Sequence, residues 1–111
     1  MTSRERDSFL DAVLAQFSGE IKSSLPAARE AIIASGKSFL IDTRRDLVRW
    51  TTLLGAGELS REEFEWLVQA RVHLARMESL KQAGLTLSRI DELRISLTRS
   101  ILGAALTTVG I

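Results

Sequence analysis

Pro26 is the only proline among the 111 residues, so beyond it no residue has to end a helix by removing a backbone donor. From there on apolar side chains recur at spacings of three and four, with no sustained alternation of period two. That is the pattern of amphipathic helices and not of half-buried strands. The expected fold is all-α: a helical hairpin or small bundle with a short N-terminal helix, a middle helix and a long C-terminal helix. All three belong to one domain, residues 1–111, the size at which one hydrophobic core is the rule.

Helix boundaries follow from local chemistry. Thr2 and Glu5 have the spacing of a capping box, and Phe9, Leu10, Val13, Leu14 and Phe17 follow on one face, which predicts a helix over 3–18. Gly19 weakens its end, so the helix stops there or runs on through Ile21 towards Ser23. Ser24-Leu25-Pro26 marks the next start, because proline in a first turn has no hydrogen bond to lose. A helix over 25–54 is expected, carrying Ile32, Phe39, Leu47, Trp50 and Leu54, with Gly55-Ala56-Gly57 as its stop. Ser60 and Glu63 form a second capping box, flanked by Leu59 and Phe64 at the spacing of a hydrophobic staple. Across this turn Trp50, Leu53 and Leu54 are expected to face Phe64, Trp66 and Leu67.

The third helix, over 61–108, carries the longest stripe: Phe64, Leu67, Leu74, Met77, Leu80, Gly84, Leu87, Ile90, Leu93, Leu97 and Ile101, spaced as in a heptad seam. A bend or break at Gly84 is the alternative, with Thr86 or Ser88 capping a fresh helix. The spacing continues across the glycine, which costs a helix only about 1 kcal/mol, and so favours a continuous or bent helix. Unbroken, it would be roughly 65–70 Å long, whereas a domain of this size has a radius of gyration of about 13 Å. One chain could not cover such a seam. The expectation is therefore an oligomer, with Leu74, Met77, Leu80, Gly84, Leu87, Ile90, Leu97 and Ile101 as candidate interface residues.

Composition excludes several chemistries. There is no cysteine and a single histidine, which removes disulfides, thiolate metal sites and a multi-histidine site within one chain. A formal net charge of +1 argues against a protein that coats nucleic acid. The motifs of nucleotide-binding loops and nucleophile elbows are absent, and Glu62 and Glu63 are adjacent and diverge, so no acid–base pair is formed. The expectation is a chain without enzymatic activity, cofactor or metal. The N-terminus carries acidic residues and no long apolar run, unlike a secretory signal, and the lack of cysteine fits the cytoplasm. Ser100–Ile111 is uncharged but too short to span a bilayer, and reads as a core or interface segment in preference to a membrane-associating one.

Three constellations remain. Glu65, Gln69 and His73 share one helix face, where they could orient a histidine base or contribute to a metal site, but Ala70 stands where a Glu-x-x-His motif places its Glu, and a polar helix flank is the favoured account. Arg44, Arg45 and Arg49 beside Trp50 suggest nucleic-acid contact, but Asp42 and Asp46 stand three residues before Arg45 and Arg49, as ion-pair partners. Finally, Leu80-Lys81-Gln82-Ala83-Gly84-Leu85-Thr86-Leu87-Ser88-Arg89-Ile90-Asp91-Glu92-Leu93 resembles the helix–Gly–turn–helix stretch of helix-turn-helix regulators. The resemblance covers 14 of the 111 residues and departs from the family pattern at Leu80, where a small residue is usual. It implies a small DNA-binding regulator using Arg89 and Arg94, beside which Asp91 and Glu92 repel phosphate. The principal expectation is a helical interaction or assembly protein that self-associates or docks on a partner's helix.

Overall fold

The structure is a computed structural model that describes residues 2–21, 26–75 and 77–110, residues 26 and 27 by their backbone only. Among these residues every regular element is an α-helix: α1 Ser3–Glu20, α2 Pro26–Gly55, α3 Arg61–Leu74, α4 Glu78–Gln82 and α5 Leu87–Val109. The start signal at Ser24 and Leu25 and the continuation of α1 towards Ser23 fall outside the described residues. α5 is the central element: α1 packs along it most extensively, and α3 and α2 also rest against it.

Each helix commits a stripe to one core. Phe9, Val13 and Phe17 come from α1, and Ile32, Phe39, Leu40, Leu47, Trp50 and Leu54 from α2. Phe64, Val68 and Val72 come from α3, Leu80 from α4, and Ile90, Leu93, Leu97 and Ile101 from α5. The uncharged segment after Arg99 belongs to the same core, with Ala104 and Ala105 buried and Leu106 and Val109 packed beside them. Buried hydroxyls cost little here, because Thr43, Thr51, Thr98 and Ser100 each donate to a carbonyl four residues back on their own helix. Gly36 of α2 sits under Phe17 of α1, where a Cβ would come within 2.7 Å of the ring.

The hairpin turn forms through local chemistry. Gly57, at φ 76°, ends α2 with two reverse hydrogen bonds, Gly57 N–H to the Leu54 carbonyl and Glu58 N–H to the Leu53 carbonyl. The Ser60 hydroxyl then accepts from the Glu63 amide at 3.0 Å, while the Glu63 carboxylate accepts from the Ser60 amide at 3.0 Å. Trp50, Leu54 and Phe64 are buried against the core as expected, but Trp66 is not: 67% of it is exposed. Two residues beyond Phe64, it points away from the face that Phe64, Val68 and Val72 bury.

The hydrogen bonds from Ser60 hold the Glu63 carboxyl below the ordinary glutamate range. A lowered folded-state pKa means that this contribution to stability is present above the unfolded-state value and is lost as pH falls through the folded one. Ser60→Ala is expected to lower stability by about 1 kcal/mol at neutral pH. Thermal melts of Glu63→Gln should differ most from wild type at neutral pH and converge with it below the carboxylate range.

The long C-terminal helix is not formed. Leu74 ends α3, with Ala75 extended at ψ 126°, and α4 is a single short turn. Gly84, at φ 87°, closes α4 by the same pair of reverse bonds as Gly57, Gly84 N–H to the Lys81 carbonyl and Leu85 N–H to the Leu80 carbonyl. Thr86 then caps α5 by accepting from the Arg89 amide at 3.2 Å. The molecule extends 42 Å along its longest axis, so the 65–70 Å helix is excluded. Folding back buries Met77, Leu80, Ile90, Leu97 and Ile101 inside the chain. Burial of each such side chain contributes about 1.5–3 kcal/mol, more than the roughly 0.5–1.5 kcal/mol net of each helical hydrogen bond given up.

Candidate functional site

α3 and α5 lie side by side and leave a groove of about 430 Å³ between them. Glu65, Gln69 and His73 line its α3 wall, one per helical turn, and Asp91, Arg94, Ile95, Thr98 and Arg99 line the α5 wall. The trio singled out by its spacing thus shares one surface. Its chemistry is that of a mixed-charge rim over an apolar strip formed by Val72 and Ile95. The one hydroxyl in the groove, on Thr98, donates to the Arg94 carbonyl at 2.9 Å and is not directed at His73. Glu65, Asp91 and His73 line the groove without converging, and among the described residues no group of three or more His, Asp or Glu is placed to hold a metal ion.

A larger cleft, about 540 Å³, opens where the C-terminal helix breaks. Ser35, Ser38, Phe39, Asp42 and Thr43 of α2 form one wall; Arg71, Leu74, Met77 and Ser79 form the other. The end of α3 therefore separates two depressions, with His73 facing one and Leu74 the other. Nothing in the sequence announces this cleft, because its far wall exists only where α3 ends and α4 begins.

The candidate interface residues divide sharply. Met77, Leu80, Ile90, Leu97 and Ile101 are core residues of the single chain, so covering them requires no second copy. Leu74 and Leu87 remain 78% and 68% exposed, and Gly84 is an exposed turn residue. Ile95 and Trp66, absent from the expected interface, join Leu74 and Leu87 as large exposed apolar side chains. Their positions off the three-and-four stripe were the available signal.

The segment resembling a helix-turn-helix does contain a Gly84 turn, but its cations are engaged. Arg89 pairs with Glu92 at 2.9 Å and Arg94 with Asp91 at 3.0 Å. Arg94 also donates to the Ala75 carbonyl at 3.3 Å, capping the end of α3 where the chain breaks. Its preceding helix, α4, has five residues. Around the middle of α2, Asp46 pairs with Arg49 at 3.2 Å as the spacing suggests and also reaches Arg71 of α3 at 3.4 Å. The expected Asp42–Arg45 pair is not formed.

Among the described residues no helix is long and apolar enough to cross a membrane. Compared with known proteins, the chain matches no family model, no curated protein and no solved structure.

Proposed function

We propose that this chain is a cytoplasmic, non-enzymatic helical interaction protein, and that the exposed apolar side chains of α3 and α5 form its docking surface. The observation that carries the reading is the distribution of exposed apolar side chains. Of the five large ones among the described residues, Trp66, Leu74, Leu87 and Ile95 lie on α3 and α5, and only Ile41 lies elsewhere. Ile95 lines the α3–α5 groove, Leu74 the cleft against α2 and Trp66 a hollow beside Leu59 and Leu67; exposed apolar residues so placed favour association, because each contact removes their surface from water.

The occupant we favour is a second copy of the chain, seated on this face; docking on another protein's helix is the other form of the same reading. Light scattering across a concentration series tests it. The expected result is a dimer at tens of micromolar that dissociates in the double variant Leu74→Glu, Ile95→Glu. Both side chains are exposed in the single chain, so the variant should keep its helix content. A monomer at every concentration would remove self-association. The DNA-binding reading has only the Gly84 turn in its support, with Arg89 and Arg94 already paired.

A further inference from the structure

We propose that a cleft between α1 and α2 binds a compact phosphate-type polyanion, and that a diphosphate fits it better than a single phosphate. Arg6 of α1 and Arg44, Arg45 and Arg49 of α2 line one cavity of about 340 Å³, together with Val48. Arg45 and Arg49 stand one turn apart on α2, and Arg44 and Val48 do the same. Arg6 reaches them because Phe9, Val13 and Phe17, on the following turns of α1, are anchored in the core.

The charges around the cleft do not cancel. Arg49 has Asp46, but that carboxylate also serves Arg71. Arg6 Nε forms an ion pair with Asp7 at 3.7 Å, too long for a hydrogen bond, and this buried atom has no hydrogen-bond partner. Arg44 and Arg45 have no carboxylate within 4 Å among the described residues. A guanidinium cannot relieve repulsion by losing its proton, so four together stay charged. The whole chain carries a formal net charge of only +1, so this concentration is local and does not reflect a generally basic surface.

An oxyanion with several oxygens matches what the cleft offers. Each guanidinium presents paired N–H groups suited to two oxygens of one phosphate. Two linked phosphates carry more negative charge than one and can address Arg6 on α1 and Arg44 and Arg45 on α2 together, so the same cations gain more from a diphosphate. Val48 leaves one side of the cavity apolar, room for an organic group attached to the phosphates.

Calorimetry and amide NMR on the full chain at low ionic strength test the proposal, with inorganic phosphate, pyrophosphate and adenosine diphosphate as probes. Saturable binding is expected, tighter for pyrophosphate than for phosphate, with shifts centred on the start of α1 and on residues 44–49. A further gain for adenosine diphosphate would assign the apolar side to an organic group; equal affinity would assign the site to the diphosphate alone. Arg44→Ala with Arg45→Ala should weaken binding about tenfold or more, the effect of losing charge-assisted hydrogen bonds. Both side chains are exposed, so the melting temperature should hold. Arg61→Ala with Lys81→Ala removes the same charge elsewhere and should leave binding unchanged. Absence of saturable binding, equal loss in the two double variants, or binding of a DNA duplex but of none of the small phosphates would overturn it.

Discussion

Leu97→Ala and Ile101→Ala are each expected to destabilise the chain by about 2–5 kcal/mol, and by the same amount whether or not the chain is associated. Both side chains are completely buried on α5, the helix against which α1, α2 and α3 all pack. Truncation removes apolar contact from three directions and leaves a cavity that the packed helices cannot fully close. Denaturant unfolding followed by circular dichroism, repeated over a wide range of chain concentration, provides the check. Had these residues formed a seam between chains, stability would rise with concentration by mass action, and the variants would shift that dependence. A concentration-dependent midpoint lost in Leu97→Ala would therefore overturn their placement in the core of a single chain.

Gly36→Val is expected to lower stability by about 1–3 kcal/mol, the usual cost of overpacking. Added at Gly36, even a first carbon would stand 2.7 Å from the Phe17 ring, and valine adds two methyls beyond it. Phe17 cannot simply swing aside, since it is itself buried in the α1 stripe. Helix propensity works weakly the other way, because glycine is the poorer helix former by a few tenths of a kcal/mol relative to valine. Combining Gly36→Val with Phe17→Leu should recover part of the loss, since the smaller side chain makes room. Thermal melts of the two single variants and the double variant give the coupling directly. Additive losses would show that the α1–α2 crossing does not depend on this contact.

The α5 and Gly36 variants test parts of the fold with different origins. The apolar periodicity that places Phe64, Leu97 and Ile101 inside is plain in the sequence, as are the Ser60–Glu63 box and the stop at Gly57. The break at Ala75–Met77 is not, because Leu74-Ala75-Arg76-Met77 contains neither proline nor glycine and carries no capping residue. Trp66 stands beside the turn in sequence, but its distance of two residues from Phe64 sets it on another face. Of the candidate site, the alignment of Glu65, Gln69 and His73 was legible, since residues four apart always share a face. Their meeting with Asp91 and Arg99, and that of Arg6 with Arg44 and Arg45, was not, since each depends on how distant helices pack.

By itself the sequence determined the all-helical class and most of the helix boundaries. Caps, glycine stops and apolar spacing act over three or four residues, so the information lies within one turn of where it is used. Only the tertiary structure decided that the C-terminal stripe folds back on its own chain and ends in two grooves. That choice sets the burial of Met77, Leu80, Ile90, Leu97 and Ile101 against a few helical hydrogen bonds, a balance settled by residues on α1, α2 and α3 that lie far away in sequence.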